Sequence, residues 1–188
     1  YEDEIGKIIL PEPNILGEHQ LYNISASIAA ARKIFKVKDD DIKNGIQSIE
    51  LKGRLQEIKT GKLKDITGNN TLVIDGGHNI SASLSIANWI KNQNQEVNLI
   101  CGMLKDKDHL EFMKSFEGLV KSVTLIDIPN QDSSISKEEF QNKIKDLKLN
   151  LNLSSSIKES IQTLSKNENT ITLCVGSLYL VGEILNLN

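Results

Sequence analysis

Three short segments place glycine directly after an apolar run and then offer polar side chains. They are Asp75-Gly76-Gly77-His78-Asn79, Gly102-Met103-Leu104-Lys105-Asp106-Lys107-Asp108 and Gly176-Ser177. Glycine at such a point permits unusual dihedral angles and lets a ligand come close to the backbone. Asp75 can accept hydrogen bonds from a ribose hydroxyl, and His78 can contact a phosphate or a polar substrate group. A fourth segment, Lys52-Gly53-Arg54-Leu55-Gln56, supplies a guanidinium, which holds phosphate bidentately or stacks on a base. Each has a plainer reading. Asp and Gly are ordinary turn residues, Asn79, Ser81, Asp106 or Asp108 can cap a following helix, and a surface arginine is usually just solvated.

The elements around these segments alternate. Strands are expected at 55–59, 71–74, 97–101, 122–128 and 170–175. Helices are expected at 82–90 with Leu84, Ala87 and Ile90 on one face, at 108–116, 137–147 and 178–185, and at 157–164 behind a Ser156/Glu159 capping box. Residues 62–70, polar and flanked by Gly61 and Gly68, read as a hairpin loop. Before residue 50 the pattern differs. A strand end at 8–10 runs into Pro11 and Pro13, a helix spans 19–35, and Asp39-Asp40-Asp41 open a short helix over 42–48. The expected organisation is residues 1–50 as one part and 51–188 as another. The second is α/β, a mostly parallel sheet with helices on both faces. Right-handed crossovers bring every strand-to-helix turn to one sheet edge, where ligands of such sheets sit. Three glycine-marked turns on that edge favour a ligand edge over three unrelated turns.

Composition bounds the rest. The 188 residues are 39% hydrophobic and 25% charged, with a net charge of −3, which is ordinary for a globular protein and unsuited to nucleic acid or anionic membranes. Cys101 and Cys174 lie in apolar runs and read as free thiols of a reducing, cytoplasmic compartment. No apolar stretch approaches the ~20 residues of a membrane helix. The chain carries neither a Gly-x-Gly-x-x-Gly fingerprint nor a Gly-x-x-x-x-Gly-Lys-Ser/Thr loop, so it has no phosphate cradle of its own. It also has no Cys/His metal cluster and no Gly-x-Ser-x-Gly nucleophile elbow.

Taken in order, Gly53-Arg54-x-Gln56, Ile74-Asp75-Gly76-Gly77-His78-Asn79, Gly102-Met103-x-Lys105-Asp106-Lys107-Asp108 and Cys174-Val175-Gly176-Ser177 resemble the signatures of the folylpolyglutamate synthase and dihydrofolate synthase family of the Mur ligase superfamily. Upstream, Leu16-Gly17-x-His19-Gln20-x-x-Asn23 and its small-residue helix resemble the end of that family's central ATPase domain. The resemblance implies a Rossmann-like C-terminal, glutamate-ligase domain at 51–188 behind a fragment of the ATPase domain. It implies an ATP-dependent ligase that joins L-glutamate to a folate or dihydropteroate carboxylate through an acyl phosphate. By resemblance, Asn23 lies near the adenine, Arg54 reaches the nucleotide, Asp75 binds the ribose or orients Arg54, and His78 faces phosphate or glutamate. Lys105, Asp106, Lys107 and Ser177 are implied in glutamate binding or domain closure. ATP and Mg2+ are the implied cofactors, with metal ligands, phosphate loop and modified lysine outside this chain, so the 188 residues alone are expected to be inactive. Gly77 stands where many members carry alanine, a change expected to be mild. Asp75→Ala is expected to cost activity in a full-length enzyme with little effect on folding. A Mur-type cell-wall peptide ligase, a non-catalytic nucleotide-binding remnant and a Rossmann oxidoreductase are the alternatives; the missing dinucleotide fingerprint argues against the last.

Overall fold

A computed structural model of the chain describes residues 1–15, 17–166 and 168–188. The chain divides into two compact units, Tyr1–Lys52 and Gly53–Asn188.

The first unit holds β1 (Glu2–Asp3), β2 (Gly6–Lys7), α1 (Glu18–Ile34) and α2 (Asp39–Gln47). Its small core is Ile8, Ile24, Ile28, Ile42 and Ile46. The expected strand at 8–10 is displaced. The antiparallel pair forms earlier, because the Asp3 carboxylate accepts from the amides of Ile5 and Gly6 and closes the turn. The three aspartates form the first turn of α2 itself. Asp41 reaches back to accept from the Lys38 amide at 3.1 Å, and acidic groups there suit the helix dipole.

The second unit follows the alternation. It comprises β3 (Gln56–Glu57), α3 (Lys62–Thr67), β4 (Thr71–Ile74), α4 (Ile80–Lys91), β5 (Glu96–Cys101), α5 (His109–Lys114), β6 (Ser122–Leu125), α6 (Lys137–Ile144), β7 (Leu151–Leu153), α7 (Ile157–Leu164), β8 (Thr170–Val175) and α8 (Leu178–Leu187). The six-stranded sheet has the order β3-β4-β8-β5-β6-β7 and is parallel except for β3, which runs against β4. Every residue of β8 is buried, as the interior strand of a sheet covered on both faces must be. On one face, Ile86, Ala87, Phe112, Met113, Phe116, Phe140 and Ile144 of α4, α5, α6 and their flanks pack on Val73, Leu99 and Leu173. On the other, Leu63, Ile157, Ile161, Leu180 and Ile184 of α3, α7 and α8 pack on Leu72, Ile74 and Cys174. Cys101 belongs to the first layer and Cys174 to the second. Burial pushes both thiols up, Cys174 to about 12, so both stay protonated and inert.

Three expectations need correction. Residues 62–67 are helix, not hairpin loop, because Leu63 and Thr67 bury one face and the cap comes from the far end of the chain. Asn188 Oδ1 accepts from the amides of Leu63 and Lys64, and its side-chain amide donates to the Thr60 carbonyl. In α4 the buried face is Ser83, Ile86, Ala87 and Ile90, and Leu84 is exposed. The α7 capping box is one-sided: Ser156 accepts from the Glu159 amide, but the Glu159 carboxylate turns to Ser154 and Ser155. The sequence reading also missed β7, a three-residue edge strand. Among the described residues no helix is long and apolar enough to cross a membrane.

Candidate functional site

Strand order assembles the site. β4, β8 and β5 are immediate neighbours, so the turns that follow them lie side by side at the carboxyl edge. The backbone joins them directly. The Gly176 amide donates to the Gly77 carbonyl at 3.0 Å, and the Gly102 amide donates to the Val175 carbonyl at 3.3 Å.

The Gly53-Arg54-Leu55-Gln56 segment is tied to this edge. The Gly76 amide donates to the Gly53 carbonyl at 2.8 Å. Gln56 Oε1 accepts from the Gly53 amide at 2.8 Å and closes the loop on itself. Asp75, 5% exposed, clamps it from the other side: Oδ2 accepts from the Leu55 amide at 2.8 Å and Oδ1 from the Gly77 amide at 2.6 Å. Arg54 is therefore held between two residues of left-handed backbone, Gly53 with φ 68° and Leu55 with φ 44°. The second is uncommon for a leucine and persists only where the surroundings fix it. A Cβ on Gly53 would also meet Val181 Cγ1 at 2.7 Å. Arg54 itself is half-buried and has no ion pair among the described residues, which leaves its donor fork available to an anion.

His78 is half-buried, and its Nδ1 lies 2.9 Å from the Gly76 carbonyl. A carbonyl only accepts, so Nδ1 carries the proton and Nε2 is the free lone pair in the neutral ring. The Lys107 ammonium, 2.9 Å away, holds the Asp106 carboxyl below the usual range, and the nearby His78 adds to the effect. The turns after β4 and β5 thus share one patch of charge. The second turn is anchored to the β6–α6 connection: the Lys105 amide donates to the Ser133 carbonyl, and Lys105 Nζ lies 3.1 Å from the Asp132 carbonyl. His109 Nε2 sits 2.9 Å from the Leu104 carbonyl, and the ring meets Phe140 edge-on at 5.0 Å. Burial pushes the His109 pKa down.

The candidate residues divide accordingly. Arg54, Asp75, His78, Asp106 and Lys107 belong to the carboxyl edge of one unit. Ser177 is 3% exposed and accepts from the Tyr179 amide as the N-cap of α8, which is its plainer reading. Asp108 and Asn79 likewise cap α5 and α4. Asn23 lies on α1 of the other unit and donates to Gln20 Oε1 at 3.0 Å. Leu16 and the His19 side chain of the upstream motif lie outside the described residues. A methyl on Gly77 would come within 2.8 Å of Ala82 Cβ and of Asp75 Oδ1, so alanine here would require a shift of the turn. Sequence reasoning missed the parts of Gln56 and His109, whose side chains turn back onto the Gly53 amide and the Leu104 carbonyl of their own turns. Among the described residues no three His, Cys, Asp or Glu side chains gather to hold a metal, and none is assigned to one.

Comparison with known proteins identifies the family and the fold. The family model described as dihydrofolate synthetase, C-terminal domain, matches residues 56–187, well over half of the chain. The dihydrofolate synthase/folylpolyglutamate synthase of Haemophilus influenzae is 26% identical over 180 residues, covering 87% of this chain and 41% of that protein. The folylpolyglutamate synthase of Lacticaseibacillus casei is 23% identical over 190 residues, covering 98% and 42%. Among solved structures, the Mycobacterium tuberculosis folylpolyglutamate synthase complexed with ADP has a TM-score of 0.80 at 18% identity, covering 97% of this chain and 42% of that one. E. coli FolC in complex with DHPP and ADP has a TM-score of 0.77 at 21% identity, covering 98% and 42%; both likenesses speak to the fold. The chain spans about two fifths of the length of the curated relatives it matches. It belongs to the folylpolyglutamate synthase family and carries that family's C-terminal domain.

Proposed function

We propose that this chain is the nucleotide-facing, C-terminal part of an ATP-dependent ligase that joins L-glutamate to a folate or dihydropteroate carboxylate. The observation that carries the reading is the clamp on the Gly53–Gln56 loop. Bonds from the Gly53 amide to Gln56, from the Leu55 amide to Asp75 and from the Gly76 amide to the Gly53 carbonyl, with two left-handed residues, fix the backbone around a half-buried arginine that has no ion pair among the described residues. A fixed, unpaired guanidinium fits a phosphate or an adenine face. ATP, when bound, would supply the phosphoryl group that turns the carboxylate into an acyl phosphate open to the glutamate amine. Within this chain Arg54 binds the nucleotide and Asp75 orients Arg54. Of the two roles expected for Asp75, orientation has the geometric support, since both carboxylate oxygens already accept backbone amides. His78, with Nε2 free, faces the phosphate or the incoming glutamate, and the Lys107–Asp106 pair borders it. Asn23 is assigned to the adenine by resemblance alone. Lys105 and Ser177 are engaged within the domain, which favours a structural part for both.

Ligation of this kind rests on positioning and charge neutralisation, and this chain has no phosphate loop. Activity therefore belongs to a polypeptide that also carries one. Incubated with ATP, folate and glutamate, the 188-residue chain is expected to form no ADP. A longer polypeptide with a phosphate-loop domain is expected to form both ADP and glutamylated folate. Formation of ADP by the 188 residues alone would overturn the assignment.

A further inference from the structure

The Asp106–Lys107 pair sits on a turn that leaves the sheet. Met103 is buried, but Lys105 and Asp106 are exposed, so hydrogen bonds rather than burial hold the tip. The turn closes from the Lys107 amide to the Leu104 carbonyl at 3.3 Å, past the usual range of about 2.7–3.2 Å. The same carbonyl receives a second, shorter bond: His109 Nε2 lies 2.9 Å from it. A carbonyl oxygen has two lone pairs and serves both donors at once. The closing acceptor of the turn is thus held from α5 as well as by the turn itself.

The stem before the tip is tied separately. The Ile135 amide donates to the Met103 carbonyl at 3.0 Å and the Lys105 amide to the Ser133 carbonyl at 2.9 Å, an antiparallel bridge around Leu104 and Ser134. Ser134 Oγ accepts from the Ile128 amide at 2.9 Å and ties that connection back toward β6. With the stem bridged, the freedom that remains lies at residues 106–108, and His109 closes it.

His109 is 3% exposed, so the ring touches no ligand and acts through the turn. Its edge-on contact with Phe140, at 5.0 Å between centroids, sets its plane. The charged groups around it are Asp108 beside it and Glu139 and Lys143 on α6, and burial outweighs them in favour of the neutral ring. Both the neutral and the charged ring keep the proton on Nε2, because the carbonyl only accepts. A phenylalanine would fill the same space. What the histidine adds is a buried donor, and burying a polar ring is costly unless its bond is made.

The geometry points to His109 as a positioning residue: its Nε2–H holds the Leu104 carbonyl, and through it the turn that presents Asp106 and Lys107 beside His78, and so sets the affinity for the incoming amino acid. The assignment rests on the proposed place of glutamate beside the Lys107–Asp106 pair.

Two measurements test it. In the 188-residue chain, NMR-detected hydrogen exchange of the Lys107 amide is expected to quicken about fivefold in His109→Phe, as for the loss of one ordinary hydrogen bond, with the Gly76 and Gly176 amides unmoved. His109→Gln, whose side-chain amide reaches the same carbonyl, is expected to restore the wild-type rate. His109→Met carries the expectation of the phenylalanine variant should that one fail to fold. In a polypeptide that joins this chain to a phosphate-loop domain, His109→Phe is expected to raise the KM for L-glutamate about 3–10-fold, with kcat and ADP affinity within about twofold of wild type, and His109→Gln to bring it back. Lys107→Met, measured in parallel, separates the two ideas. A raised KM in Lys107→Met beside an unchanged KM in His109→Phe would overturn the proposal and leave the place of glutamate standing. An unchanged KM in Lys107→Met would overturn that place and the proposal with it. Unchanged exchange at Lys107, or equal behaviour of the Phe and Gln variants, would overturn the proposal by itself.

Discussion

The two ends of one parallel sheet are built from different material. At the carboxyl end, the conformation of the backbone does the positioning. Glycines and one left-handed leucine shape the turns, and amide-to-carbonyl bonds lock turn to turn. At the amino end, under α7, the strands are regular and the side chains do the work, with amides and hydroxyls in cross-strand rows. The first kind of construction is rigid and expensive to disturb, because the buried carboxylate of Asp75 answers two backbone amides at once. The second keeps an unanswered amide and tolerates change more readily.

Substitutions should separate the two ends. The largest effect is expected at Asp75. Asp75→Ala leaves the Leu55 and Gly77 amides without their acceptor, and bonds to a charged group contribute roughly 1.5–3 kcal/mol each, so a loss of about 3–5 kcal/mol is expected in urea unfolding of the 188-residue chain. This revises the expectation that folding would barely change. A loss below about 1 kcal/mol would show that the clamp is not a structural element. Gly53→Ala comes next, at about 1–3 kcal/mol, since alanine must take a left-handed φ and meet Val181. Gln56→Ala removes one acceptor and is expected to cost about 1 kcal/mol. Asn98→Leu should cost least at the other end. It removes an amide donor that has no partner among the described residues but also the Oδ1 that accepts from the buried Ser122 hydroxyl, so a loss of about 1 kcal/mol or less is expected, read by the urea midpoint.

A pH effect, smaller still, belongs to the carboxyl edge. Burial lowers the His109 pKa in the fold, so the unfolded chain binds the proton more readily. Stability is then fully present above the ordinary His value of 6.5 and is lost as pH falls through the lowered folded value. The thermal midpoint of the wild type is expected to fall between about pH 6.5 and 5, and that of His109→Phe to fall less. Equal slopes would show that His109 does not contribute.

Much of the carboxyl edge was legible in the sequence, because glycine after an apolar run is a local signal and strand alternation fixes which edge the turns share. The purposes of its residues were less legible. Asp75 reads as a ribose acceptor, and only the fold shows its two oxygens turned to Leu55 and Gly77. Helix α3 was misread because Asn188 caps it from the end of the chain, which no local pattern shows. The amino-end layer was invisible for a similar reason. Asn98, the Ser122/Thr124 pair and Asn152 lie far apart in sequence on three strands, and strand register brings them onto one patch of the sheet.

The central claim is that the clamped loop presents Arg54 to a nucleotide, and ADP affinity tests it most directly. Isothermal titration of a polypeptide that joins this chain to a phosphate-loop domain should give a dissociation constant roughly 10–100-fold weaker for Arg54→Ala than for the wild type, as expected for loss of a charge-assisted pair worth about 1.5–3 kcal/mol, with the thermal midpoint unchanged. An unchanged dissociation constant would contradict it.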